Sequence, residues 1–310
     1  MQAFIIRRLL QFIPTILVIT LIMFILLNIL PGNAALMSMD ARQAADANYV
    51  RQLKAEMGLD KPIHIRYLNY IKNLAMGDLG LSYIHREKVN HLIMDRLWPT
   101  IKLAVVAMAI AAALGIPLGF LSAIKQGTWL DSFFMISAIS GVSVPQFWLG
   151  LMLMYFLSVQ LRLLPTFGYG DGAIANLVLP ATALGIGYMA LIARTTRAAV
   201  VEILNADFVR TARSKGLNEN EVLFKHVFRN AFILILTTVG LQFGSMIGHT
   251  VIIEKLFSWP GIGSLLVDSI FKRDLPITQG CVLLIVILFL VVNLVIDILY
   301  SVIDPRIVHT

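Results

Sequence analysis

Gln242, Ser245 and His249 stand three and four residues apart inside an apolar stretch. At 100° per residue they share one side of a helix. Gly240, Gly244 and Gly248 recur every fourth residue on roughly the other side, the small-residue spacing that lets helices approach closely. Amide, hydroxyl and imidazole groups do not face lipid cheaply, so their side faces protein or water. Asn293 and Asp297 stand one turn apart near the end of a later apolar run. Asp297 is read as half of a structural ion pair with Arg306 or a loop arginine, in preference to a proton or ion site. The lone Cys281 excludes an intrachain disulfide and is read as a small buried hydrophobe.

Other chemistry is excluded. No Gly is followed by Lys, so there is no Gly-x-x-x-x-Gly-Lys loop to cradle phosphates, and the chain should not hydrolyse ATP. No His-Glu-x-x-His is present and the 6 histidines are scattered. No catalytic residue and no metal site is expected.

A polar segment, residues 202–221, holds the densest set of local signals. Asn205 is expected to N-cap a short helix, and Gly216 to close it in the left-handed conformation. Asn218 then caps a second helix, with Glu221 reaching back as in a capping box, and that helix continues through His226 and Asn230. Ala212 and Gly216 lie one turn apart, where small residues allow another backbone close. Arg210, Arg213 and Lys215 surround them. A docking element and a solvated basic loop both fit this pattern.

The elements that must position these groups are membrane helices. Of 310 residues, 58% are hydrophobic and 14% charged, far below the charge of a soluble domain. Six spans are expected, near residues 9–30, 100–124, 132–157, 177–192, 231–253 and 278–302. The fourth is the shortest and contains Pro180, Gly185 and Gly187. The first follows Arg7 and Arg8 and is too long for a signal-peptide core, so it reads as an anchor. The net charge of +7 is accounted for by cytoplasmic loops, and no basic stretch is interleaved with aromatics, so nucleic acid is not expected. With the N-terminus inside, the inner segments carry Arg7, Arg8, Lys125, Arg194, Arg197, Arg210, Arg213, Lys215, Lys225, Arg229 and Arg306. The short outer loops carry Arg162, Lys255, Lys272 and Arg273. Both termini are therefore placed in the cytoplasm. Val50, Leu53 and Met57, then Tyr67, Tyr70, Ile71 and Leu74, predict two short amphipathic helices on the outer face.

The segment Thr211-Ala212-Arg213-Ser214-Lys215-Gly216-Leu217 resembles the EAA loop of binding-protein-dependent ABC importer permeases. Met57-Gly58-Leu59-Asp60-Lys61-Pro62, Gly77-Asp78-Leu79-Gly80-Leu81-Ser82, Phe257-Ser258-Trp259-Pro260-Gly261-Ile262-Gly263, Arg273-Asp274-Leu275-Pro276 and Asp304-Pro305-Arg306 are similar to motifs of the dipeptide/oligopeptide (and nickel) subfamily, B-subunit type. Asn33-Ala34 and Phe232-Ile233-Leu234 depart from its pattern. The resemblance implies an all-α, polytopic type I importer transmembrane domain. Its parts are an anchor (1–30), an extracytoplasmic segment (31–97), a five-helix core (98–302) with a coupling helix near 206–217, and a short tail (303–310). It implies ATPase coupling through Asp207, Arg210, Thr211, Ala212, Arg213, Lys215, Gly216 and Leu217. Gln242, Ser245 and His249 then line the translocation path, or else only hydrogen-bond between helices. The implied partners are membrane lipid, a second homologous permease (probable heterodimer), two cytoplasmic ATPases that bind ATP and Mg, and an extracytoplasmic substrate-binding protein. The implied cargo is di- or oligopeptides, with nickel chelates, glutathione or oligosaccharides as alternatives. The implied place is a bacterial or archaeal cell (inner) membrane. An ion-coupled secondary transporter is the competing class, but the sequence lacks its midplane charges and paired broken helices.

Overall fold

The computed structural model describes residues 2–29 and 60–303, together with Asn48, Arg51 and Gly58. The helix expected around Val50, Leu53 and Met57, the turn at residues 31–34 and the tail containing Arg306 lie outside the described residues. Among the described residues the secondary structure is helical, apart from an isolated bridge between Leu81 and Lys88.

The helices are α1 (Gln2–Ile29), α2 (Ile63–Ala75), α3 (Val89–Ile124), α4 (Trp129–Ser143), α5 (Gln146–Leu153, continued by a π turn, Met154–Gln160) and α6 (Ile174–Leu204). After them come α7 (Asp207–Ser214), α8 (Glu219–Leu256, with a π turn at Val222–Phe228), α9 (Ile262–Lys272) and α10 (Leu275–Ile303). Five of these, α1, α3, α6, α8 and α10, are long and apolar enough to cross a bilayer.

The third expected span is not one rod. It is α4 and α5, bent by 94°. Pro145 causes the break: a proline ring excludes the α conformation from the residue before it, and Val144 is extended at φ −97°, ψ 127°. The fourth expected span is longer than its apolar stretch. α6 runs 31 residues, passing Pro180 in its second turn and carrying Arg194 and Arg197 inside the helix rather than in a loop.

Glycine explains how α6 packs. A methyl group on Gly115 would sit 2.7 Å from the Met189 carbonyl oxygen, and one on Gly185 would sit 2.6 Å from that of Ala107. One on Gly119 would overlap the Ala193 carbonyl. α3 and α6 therefore touch backbone to backbone along three turns or more. The expected glycine stripe on α8 is used unevenly. Gly240 closes on Ile296 of α10, Gly244 is in ordinary contact with Phe289, and Gly248 meets nothing within 4 Å.

Polar anchors fix the remaining elements. Arg197 grips Asp131 with two bonds, 2.8 Å from Nε and 2.7 Å from Nη2, and Ser122 and the Gly127 N–H donate to the same carboxylate. This ties the α3–α4 turn to α6. At the opposite side of the bundle Glu254 is fully buried. Its carboxylate accepts from Thr100 Oγ1 at 2.7 Å and the Ser264 N–H at 3.0 Å, while Trp259 donates to the Pro99 carbonyl. Any side chain at Gly261 would collide with that carboxylate, which accounts for the glycine in the turn. Asp274 likewise holds the Ser82–Ile84 loop through the Ser82 hydroxyl and the N–H groups of Tyr83 and Ile84.

α2 confirms its predicted face: Tyr67 and Tyr70 pack on Phe24 of α1, with ring centroids at 5.3 and 6.3 Å. Asp297 pairs with Arg8 of α1 at 3.0 Å, while the expected partner Arg306 lies outside the described residues. α1 and α10 run antiparallel, and this brings the start of one beside the end of the other.

Arg197→Met would leave the Asp131 carboxylate, 6% exposed, without its cation. The expected loss is about 3 kcal/mol, read as a lower Tm of the detergent-purified chain. Adding Asp131→Leu should restore at least half of the loss, since an apolar pair needs no counter-charge.

Candidate functional site

Two regions bring functional side chains together. The first is α7, held crosswise between the ends of α6 and α8. α6 ends later than expected, so Asn205 caps its C-terminus, with the amide donating to the Val201 carbonyl at 2.9 Å. The N-cap of α7 is consequently Ala206, not Asn205. The stop is as expected: Gly216 has φ +80° and its N–H bonds the Arg213 carbonyl. Asn218 caps the following turn by accepting from the Asn220 N–H at 3.2 Å. The capping box is not completed, because Glu221 pairs with Lys225 at 2.9 Å instead.

α7 has two faces. Val209 and Ala212 are buried against Phe120, Ala199, Val200, Val222 and Val227, and Leu217 packs on the edge of the same cluster. Ala212 thus secures α7 to its own chain. Asp207, Arg210, Thr211, Arg213, Lys215 and Gly216 are exposed. Arg213 forms a fork with Glu219, at 3.1 and 2.6 Å, and that hydrogen-bonded carboxylate holds the guanidinium above its ordinary range. Phe208 was missed by the sequence reading. It is 46% exposed, an aromatic ring left on a charged helix. An aromatic residue breaking a polar face was the available signal.

The second region is a polar slot of about 410 Å³ between α6, α8 and the α4–α5 bend. Gln242, Ser245 and His249 line one wall, as their common helix face requires. Gln146, Tyr188 and Arg194 line the others. His249 stacks edge-on to Tyr188 at 6.1 Å, and its Nδ1 lies 2.9 Å from the Ser245 carbonyl. Gln146 fits only because residue 187 is glycine: a Cβ there would overlap its amide. Arg194 was expected on an inner loop, and charge counting alone hid its place in the slot. Gly240 and Gly244 face α10, away from it. Among the described residues no group of His, Cys, Asp and Glu is arranged to hold a metal ion.

A wet helix joining two spans that also wall a polar slot is the architecture of a transporter's membrane subunit. Residues 115–309 match the family described as binding-protein-dependent transport system inner membrane component. Residues 1–104 match the N-terminal description of the same membrane component. The chain belongs to this family, as an inner-membrane permease subunit of an ABC importer whose ATPase is a separate polypeptide. It is 40% identical over 307 residues to the glutathione transport system permease protein GsiC of Escherichia coli strain K12, covering 99% of each chain. The GsiC of Salmonella typhimurium strain LT2 is 39% identical, again over 99% of each. The fold is similar to that of the MetNI methionine ABC transporter in an inward-facing conformation, with a TM-score of 0.60 at 17% identity, over 69% of this chain and 96% of that one. An amino acid ABC transporter crystallised with histidines gives a TM-score of 0.55 at 17% identity, over 68% and 94%.

Cysteine substitution checks that the slot holds water. Cys281 is buried, so the native background is silent. Gln242→Cys, Ser245→Cys and His249→Cys should each react with a water-soluble thiol reagent in at least one nucleotide state. Thr250→Cys, at a site 1% exposed, should not. Uniform resistance of the first three would place the water path elsewhere.

Proposed function

We propose that this chain forms half of a membrane path for short peptides, glutathione-like tripeptides included, and that α7 receives the stroke of a separate ATPase. One observation carries the reading: α7 directly connects α6 and α8, and those two helices wall the polar slot. A push on α7 is delivered through Val209 and Ala212 into the cluster around Phe120, and so to both walls. Close packing makes such a cluster transmit displacement rather than absorb it.

The remaining assignments follow the same reading. The α7 side is cytoplasmic, where Arg210, Arg213, Lys215, Lys225 and Arg229 gather, and the Arg8–Asp297 pair supports the start of α1 and the end of α10 lying on one side. A homologous permease completes the path, two ATPases bind ATP and Mg, and an external binding protein delivers the cargo. The name of the 40% identical relatives supports a peptide-sized solute over an oligosaccharide or a nickel chelate.

Phe208 is an exposed aromatic contact open to a docking partner. Phe208→Glu should leave the chain inserted and stable while weakening ATPase docking by about 2 kcal/mol, some thirtyfold. The readout is binding-protein-stimulated ATP hydrolysis in proteoliposomes. Gly216→Trp should act the same way. Its Cβ meets nothing within 4 Å in this chain, so the damage is a strained φ of +80° and an obstructed partner. Normal transport-linked hydrolysis in both variants would refute coupling through α7.

A further inference from the structure

We propose that Arg194 makes the slot a binding site for an anionic group, a carboxylate foremost, on the passing solute. The inference rests on the slot being a solute path and adds what that path recognises.

Arg194 is the only lining residue whose charge is permanent, and no Asp or Glu lines the slot. Among the described residues it forms no salt bridge. The contrast with its neighbour is direct. Arg197, three residues further along α6, is neutralised by two bonds from Asp131. Arg194, on another face of the same helix, opens into the slot. Its guanidinium is exposed, and its planar fork matches a carboxylate with two parallel bonds.

Position and polarity agree. Arg194 is 20 residues from the start of α6 at Ile174, about 30 Å at 1.5 Å per residue. Gln242 and His249 lie about 21 and 10 Å from the end of α8 on that same side. Helix side chains lean toward the N-terminus, so the guanidinium reaches back toward Gln242. Arg194 therefore occupies the inner end of the slot and His249 the outer end. At the outer end Nδ1 faces a carbonyl, which only accepts, so in the neutral ring the proton sits on Nδ1 and Nε2 is left as an acceptor. The slot thus offers a cation at one end and an acceptor toward the other. That complements a short zwitterionic peptide lying with its carboxylate inward.

The test uses the whole importer in proteoliposomes with Gln242→Cys as reporter. Its labelling rate is measured with an anionic reagent, sulfonatoethyl methanethiosulfonate, and a cationic one, trimethylammonioethyl methanethiosulfonate. Adding Arg194→Gln should lower the anionic-to-cationic rate ratio about tenfold at low salt. Millimolar trialanine should slow labelling when Arg194 is present, and its C-terminal amide should not. An unchanged ratio in Arg194→Gln, or equal behaviour of acid and amide, overturns the anion site and leaves the path standing. A reporter silent to both reagents in every nucleotide state removes the path, and the anion site with it.

Discussion

The contact between α3 and α6 is the constraint on which the rest depends. Carbonyl groups of one helix lie where side chains of the other would normally begin, because Gly115, Gly119 and Gly185 have none. Lipid tails are as apolar as leucine, so burying apolar surface gives helices little reason to associate in a bilayer. Close backbone approach supplies the attraction instead. It also makes the pair stiff, and the Asp131–Arg197 fork locks it at one end. With α3 and α6 packed as one body, the proposed stroke on α7 has a rigid connection to the slot.

Stiffness in one place permits openness in another. Beyond the glycine contacts, α6 turns Tyr188 and Arg194 toward α8 and away from lipid. The bend at Pro145 brings Gln146 to the same space, so the break in the third span helps to build the polar wall. On the far side, the cluster of Glu254, Thr100, Trp259 and Ser264 fixes the top of α8 to the start of α3. α8 is thus pinned at its Glu254 end and joined to α7 at its other end. The two π turns, at Met154–Gln160 and Val222–Phe228, fall next to the bend and next to α7, where regular helix gives way.

Much of this was legible in the sequence for identifiable reasons. The stop of α7 was readable because a left-handed glycine and an asparagine cap are local chemistry, decided within a few residues. The common face of Gln242, Ser245 and His249 was readable from helical period alone. What escaped depends on neighbours distant in sequence. α6 looked weak because a helix packed on protein needs fewer lipid-facing residues than one bathed in lipid. Arg194 and Arg197 looked like loop charges for the same reason, and only the fold separates a paired arginine from one that opens into a slot. Ala212 was recognised as important, yet a small residue suits inward packing as well as outward docking, and nothing local decides between them.

The Arg8–Asp297 pair has a consequence for how the molecule is made. α1 leaves the ribosome first, but its principal helical neighbour among the described helices is α10, the last to emerge. α2 packs on Phe24 early in synthesis, but the contact of α1 with α10 must wait for the last span. Only when the final span arrives can Arg8 and Asp297 neutralise each other. The pair works as a clasp between α1 and α10, closing only after the helices between them have been made.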